Sequence, residues 1–340
     1  MHLSVLRSLD EMRGLADEWN NLLSLSASHV PFLRHEYLTT WWQTLGGGEW
    51  SYGELYVAVG RQQNGQLAGI APLFFTENRE GEPALMFLGS TEISDYLDVI
   101  ASPQFLSPFL GALLEFLDNQ HDIAWRVLDW YNILESSPTL PALKSMTEGC
   151  SWKYVQQTLQ HCPYIPLAGD WDAYLTGIDK KQRHEIRRKM RRAEANANPL
   201  RWYLADDPAN LDFEIEAFFD LMAQDAEKAR FLTDQMRSQL RATLYAAAQS
   251  GWLQLAFIEV DGQKAAGYLN FDYAGRIWVY NSGLNFEYRE LSPGWVLLAH
   301  LLRWANENQR TAFDFMRGDE DYKYRFGAVD RFIVRAQIRR

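Results

Sequence analysis

Cysteine is nearly absent from this 340-residue chain: Cys150 and Cys162 are the only two, and their surroundings lack metal-ligand spacing. A disulfide framework and a thiolate metal site are therefore excluded as expectations, and a reducing, cytoplasmic setting fits. Long apolar runs are also missing. No stretch approaches the roughly 20 residues that span a bilayer. The N-terminal MHLSVLRSLDEMRG lacks the apolar centre of a secretion signal. Stable membrane insertion is not expected. Positive charge is in the minority: 33 Lys and Arg stand against 44 Asp and Glu, a net charge of −11. That balance argues against wholesale nucleic-acid binding. No metal is expected.

What is abundant is apolar and aromatic. Hydrophobic residues make up 47 % and aromatic residues 14 % of the chain, enough for a large core and against disorder. The length suits two ordinary domains. Read in order, the chain predicts a strand at 3–7 and a helix at 10–25, then a helix in HEYLTTWWQTL stopped by Gly46-Gly47-Gly48. Strands at 54–61 and 66–75 flank Asn64-Gly65, a hairpin signal. A strand at 83–88, helix 105–119, strand 125–132, helix 138–148 and strand 151–159 come next. HCPYIPLAGDW reads as a linker. Beyond it come one basic helix, a strand LRWYLAD, helices at 210–229 and 231–249, and strands 252–260 and 265–273 around Asp261-Gly262.

The series repeats. GELYVAVGRQQNGQLAGIAPLFF at Gly53 resembles GWLQLAFIEVDGQKAAGYLNFDY at Gly251, and each long helix leads to an apolar-Asp-aromatic strand, LDW at 128–130 and FDF at 313–315. The expected fold class is α/β (α+β): two tandem units, 1–165 and 166–340, each a mixed, mostly antiparallel sheet flanked by helices.

The densest stretch is 276–327. A strand RIWVYNSG, a loop Tyr288–Gly294, an amphipathic helix over 295–308 and the strand of Phe313, Asp314 and Phe315 run into the polar RGDEDYKYR. A helix N-terminus offers unpaired N–H groups and a favourable dipole to an anion. Ser292 is placed as N-cap, Pro293 suits the first turn, and Gly294 allows close approach of a ligand, a phosphate being the natural guest. An ordinary well-capped helix explains the same residues equally well.

Order and pieces together resemble the GNAT acyltransferases, in a tandem FemAB-like arrangement. Within these the chain is most similar to the CelD/BcsL-like acetyltransferases of cellulose biosynthesis. PFLRHEYLTTWW, SDYLD, RHEIRRKMRRAE, LSPGWVLL and FDFMRGDEDYKYRFG carry the resemblance and span nearly the whole chain. The family's Gln/Arg-x-x-Gly-x-Gly/Ala loop appears here as Arg289-Glu290-Leu291-Ser292-Pro293-Gly294, with one glycine, and the first copy has SPQFLSPFLGALL, with neither the basic residue nor the turn glycine. The resemblance implies a single acyl-CoA site, in the second unit. It implies that Tyr280, Asn281 and Ser282 border the pantetheine arm, that Arg289, Ser292, Pro293 and Gly294 hold phosphate, and that the splayed strand supplies N–H groups to the carbonyl oxygen.

Acyl transfer also needs a base and an acid. Asp314, Asp319, Glu320 and Tyr322 are the catalytic candidates, with the loop residues Asp319 and Glu320 favoured over Asp314 as base and Tyr322 placed to protonate the leaving thiolate. Arg317 and Lys323 are substrate-side candidates, as are Asp95, Tyr96 and Asp98 in the first unit. A structural role competes for each. The basic helix carries Lys180, Lys181, Arg183, Arg187, Arg188, Lys189, Arg191 and Arg192 above a stripe of Ile186, Met190 and Ala193. It is either a solvated face or an anion site, with Arg187 as representative. The leading function is an acyl-CoA-dependent N- or O-acyltransferase with a small-molecule or saccharide acceptor. A tRNA-dependent aminoacyl transferase and a non-catalytic protein with a degenerate site are the alternatives. Nucleic acid is the less expected partner.

Overall fold

A computed structural model describes residues 1–120, 122–148, 151–196 and 200–339. Cys150 and Arg340 lie outside them; Cys162 is buried. The elements run β1 (His2–Leu6), α1 (Leu9–Arg13), α2 (Ala16–Ser24), α3 (His35–Gly48), β2 (Glu54–Arg61), β3 (Leu67–Glu77), β4 (Pro83–Phe87), β5 (Ile100–Ala101), α4 (Pro103–Asn119), β6 (Val127–Leu134), α5 (Thr139–Thr147) and β7 (Lys153–His161). Next are β8 (Tyr164–Pro166), α6 (Trp171–Gly177), α7 (Lys180–Glu194), β9 (Arg201–Leu204), α8 (Leu211–Met222), α9 (Ala226–Phe231) and α10 (Asp234–Gln249). The last elements are β10 (Leu253–Val260), β11 (Gln263–Tyr273), β12 (Arg276–Leu284), α11 (Pro293–Glu307), β13 (Ala312–Asp314), α12 (Asp321–Arg325) and β14 (Phe332–Arg339).

The chain divides into two compact units, Met1–Gln160 with Phe332–Arg340, and His161–Arg331. The sequence alone suggests a single cut after residue 165; in the structure the last strand, β14, belongs to the first unit. There it pairs with β6 in the order β1-β2-β3-β4-β6-β14-β7, with β5 on β3. The second sheet is ordered β8-β13-β12-β11-β10-β9. The repeat is visible in the pairing. β4 joins β6 in parallel, and β12 joins β13 in parallel, each after a long helix, α4 or α11. The neighbouring pairs are antiparallel hairpins in both units. The fold is therefore mixed α/β in two tandem units.

Local chemistry explains several boundaries. Asp261 and Gly262 both take positive φ, 53° and 75°, the turn that matches strand twist in a two-residue hairpin. The helix expected over 10–25 is two helices, because Ser8 and Glu11 close a capping box on α1, which ends at Gly14. The helix expected over 210–229 stops at Met222, and Asp225 caps a new one by accepting from the Glu227 and Lys228 amides. The expected linker holds β8 and α6, which starts where Asp170 accepts from Ala173. Two short helices, α6 and α7, therefore occupy the stretch expected to hold one, and both pack on α11.

The second unit's core lies between its sheet and α11, with Val296, Leu297 and Leu301 against Ile277, Phe313 and Ile258. His300 stacks on Trp202 at the edge of this layer, 5.3 Å between ring centroids. Burial, assisted by Arg303, pulls its pKa down to about 4. The unfolded chain protonates first, near pH 6.5, so this contribution to stability is complete above that pH and lost as the pH falls toward 4. We expect denaturant titrations of the wild type to lose up to about 1.4 kcal/mol per pH unit across that window relative to His300→Phe. Parallel curves would remove His300 from the account. Among the described residues no helix is long and apolar enough to cross a membrane, and no cluster of His, Cys, Asp or Glu is arranged to hold a metal.

Candidate active site

The site grows from an irregularity in β12. Along the β11–β12 pair the partners step from Leu269–Asn281 to Asn270–Val279, which leaves Tyr280 as an extra residue. Such a bulge bends a strand and re-aims the side chains beyond it. After it, the Asn281 side-chain oxygen accepts from the Ser282 amide at 2.8 Å, so that N–H is engaged within the strand. Gly283 lies so close to α8 that a Cβ there would stand 2.6 Å from Leu221 and 2.7 Å from the Met222 nitrogen. The glycine thus lets the α8 end sit on the strand.

A cavity of about 300 Å³ lies at the end of β12 and the start of α11. Ser282, Arg289, Ser292, Pro293, Gly294 and Tyr322 line it, six of the residues singled out from sequence. Pro293 occupies the first turn of α11 as expected. Ser292 does not cap by its hydroxyl: it sits at φ 52° and ψ 50° and its side chain makes no capping bond. It also closes the six-residue 3-10 turn Phe286–Leu291, its amide donating to the Arg289 carbonyl. Leu284 lies over Gly294, 2.6 Å from where a Cβ would be. The close approach that glycine permits is therefore made by a leucine side chain tip in this structure.

Several wall residues were not anticipated. Tyr268 comes from β11, Trp295 and Leu298 from α11, and Phe326 from just beyond α12, giving the cavity an apolar lining. Tyr268 is 5 % exposed. Among the described residues neither its phenol nor that of Tyr322 has a hydrogen-bond partner. Burial raises the pKa of both, and the Glu320 charge adds to each shift. Lys228, from α9, donates to the Ser282 carbonyl. Burial lowers its pKa, against the pull of Asp225 and Glu320. Tyr268 reads in sequence as a core aromatic of a strand and Lys228 as one charge on a solvated helix. Only the register of β11 and the turn into α9 bring them here.

The polar run after β13 is not a loop throughout. Residues Asp321–Arg325 form α12, and Lys323 is 3 % exposed within it. Its ammonium donates to the Arg317 carbonyl at 2.8 Å and the Gly318 carbonyl at 3.0 Å, and pairs with Glu320 at 2.8 Å. Lys323 thus fixes the turn that carries Arg317, Asp319 and Glu320, and is not a substrate-facing cation. Asp319 and Glu320 are exposed; Glu320 acts on Tyr268, Tyr322 and Lys228, and both act on Tyr324. Asp314 is 1 % exposed, accepts from the Met316 amide at 2.9 Å and is ion-paired with Arg331. It is a buried anchor of the sheet and does not line the cavity. Tyr280 and Asn281 belong to the bulge above the cavity and are not among its wall residues.

The remaining candidates lie elsewhere. Asp95, Tyr96 and Asp98 belong to the first unit and are buried. Asp98 accepts from Ser28 at 2.6 Å, from Ser137 and from the Val99 amide at 2.8 Å, and burial raises its pKa. Those bonds lock a turn. Arg187 is exposed on α7 beside Asp172, 3.2 Å away. Lys189, on the same helix, sits over the ring of Trp295, 4.1 Å from its centroid.

Residues 180–324, from the start of α7 to α12, match the family described as Acetyltransferase (GNAT) domain. The matched segment makes up most of the second unit, which has the fold of a GNAT acyltransferase domain. No curated protein matches the chain. Among solved structures, FemX is 11 % identical with a TM-score of 0.67, covering 99 % of this chain and 97 % of its own. A conserved protein of unknown function from Bacteroides thetaiotaomicron VPI-5482 is 12 % identical with a TM-score of 0.60, covering all of both chains. L-PGS from Bacillus licheniformis is 12 % identical with a TM-score of 0.56, covering 95 % of this chain and 91 % of its own. At such identities the likeness is one of fold, and it extends through both units.

Proposed function

We propose that the second unit transfers an acyl group from a coenzyme A thioester to an amine or hydroxyl, as in the CelD/BcsL-like acetyltransferases, in a cytoplasmic setting and with a small-molecule or saccharide acceptor. The observation that carries the reading is the cavity between the bulged strand β12 and the N-terminus of α11, in a segment matching the GNAT family. Arg289 and the first N–H groups of α11 suit phosphate. The apolar walls suit the pantetheine arm and the acyl group.

The chemistry rests on placement. The acceptor's N or O attacks the thioester carbonyl, a new C–N or C–O bond forms, and the C–S bond breaks. Glu320 takes the acceptor's proton, and Tyr322 gives one to the departing sulfur. A raised phenol pKa keeps Tyr322 protonated and able to donate at neutral pH. Asp314 is left out of this scheme because its oxygens serve Met316 and Arg331. The long helical arm associated with tRNA-dependent transfer has no counterpart in α6 and α7, which are seven and fifteen residues and pack on α11.

A thermal-shift series of acetyl-, acyl- and free coenzyme A tests the reading. A thioester present at about 100 times its dissociation constant stabilises the folded unit by about 2.7 kcal/mol, so a clear rise in Tm is expected. No shift with any thioester would leave the non-catalytic alternative standing.

A further inference from the structure

The cations of α7 are not scattered. At 100° per residue, Lys180, Lys181, His184, Arg188, Arg191 and Arg192 fall within one arc of about a third of the helix circumference, and all six are exposed. Ile186, Met190 and Ala193 occupy the opposite, buried side. Arg188 is paired with Glu185, but Lys180, Lys181, His184 and Arg192 have no ionic partner among the described residues. The result is a straight cationic strip about 20 Å long in a chain whose net charge is −11. α7 packs against the 3-10 turn Phe286–Leu291, and there Phe286 is 49 % exposed and Leu284 beside it 38 % exposed.

We propose that the outward face of α7, with Leu284 and Phe286 at its side, is a docking surface for an anionic phospholipid membrane. Each Lys or Arg near such a surface contributes attraction that fades within a Debye length. Exposed apolar side chains beside a cationic strip enter the headgroup boundary, as interfacial helices do. Polynucleotide backbones are tracked by cations spread through a groove; here the charge is confined to one helix and bordered by aliphatic and aromatic surface. The cationic strip stands independently of the thioester reading, whereas Leu284 and Phe286 also border the cavity.

The experiment is co-sedimentation of the full chain with phosphatidylcholine vesicles, with and without about 30 % phosphatidylglycerol, at about 0.1 M salt. Binding is expected to the anionic vesicles only and to weaken as salt rises. Lys181→Glu with Arg192→Glu should weaken it about tenfold or more, and Phe286→Ser severalfold without altering the salt dependence. The charge-reversal variant should keep the wild-type Tm and thioester response, because Lys181 and Arg192 are exposed and lie outside the cavity wall; Phe286 borders the cavity, so Phe286→Ser is checked by its Tm. Equal binding to neutral vesicles, or indifference to charge reversal, would overturn the proposal. So would mixed-sequence RNA that displaces the protein from vesicles and loses affinity on the same charge reversal, which would assign the face to nucleic acid.

Discussion

Tyr322→Phe is expected to slow acyl transfer by about 10²–10⁴-fold while leaving thioester affinity unchanged. The substitution removes one oxygen from the cavity wall and keeps the ring that packs against Phe315, 6.0 Å between centroids. The phenol is bonded to no other described residue, so its loss disturbs no structural hydrogen bond. Glu320→Gln should cost a similar factor, because the amide cannot accept the acceptor's proton. The two losses should not multiply if both groups serve one proton path. Single-turnover rates with a defined acceptor read these effects separately from binding. Near-normal rates in both variants would remove the turn after β13 from the chemistry and direct attention to Tyr268 and Lys228.

The second large effect is on stability. Arg331→Met removes the Arg331 cation from the Asp314 carboxylate, which is buried at 1 % exposure. Stranding one partner of a buried pair costs about 3–5 kcal/mol, whereas replacing both partners by apolar groups is often neutral. Denaturant unfolding should therefore show Arg331→Met strongly destabilised and Arg331→Met with Asp314→Leu substantially recovered. The first unit has the same device: Asp129, fully buried in β6, binds Arg335 of β14 at 2.6 Å and the Asn78 amide at 2.8 Å. The two arginines are four residues apart on one C-terminal segment, and each secures the apolar-Asp-aromatic strand of its own unit. A stable Arg331→Met that has lost only transfer activity would return Asp314 to the catalytic set.

Local signals were readable in the sequence: Asp261-Gly262 as a hairpin, Pro293 at a first turn, and the periodicity of α11. So was the repeat, since both copies use the same strand and helix order. Register was not readable. The bulge at Tyr280 exists only as a mismatch between two strands, and Tyr268 reaches the cavity only because β11 lies beside it. Carbonyl cages were equally hidden. RGDEDYKYR is polar enough to pass for a solvated loop, yet Lys323 is buried because three carbonyls and Glu320 satisfy it. Asp314, flanked by phenylalanines, was legible as a residue facing away from them but not as the partner of Arg331. The long-range return of β14 to the first sheet is likewise a tertiary fact, with no mark in FIVRAQIRR beyond its alternation.

The central claim is that a thioester donor sits in the second unit with its phosphates at the N-terminus of α11. Calorimetric titration of acetyl-coenzyme A into the wild type and into Gly294→Asp tests it most directly. The aspartate displaces the flexible tip of Leu284 and places a carboxylate in the first helical turn, where the dipole favours it, so the variant is expected to fold. Its negative charge occupies the phosphate position, and affinity should fall by at least about a hundredfold, equivalent to about 2.7 kcal/mol. Undiminished affinity in a folded Gly294→Asp would contradict the account and place the donor elsewhere.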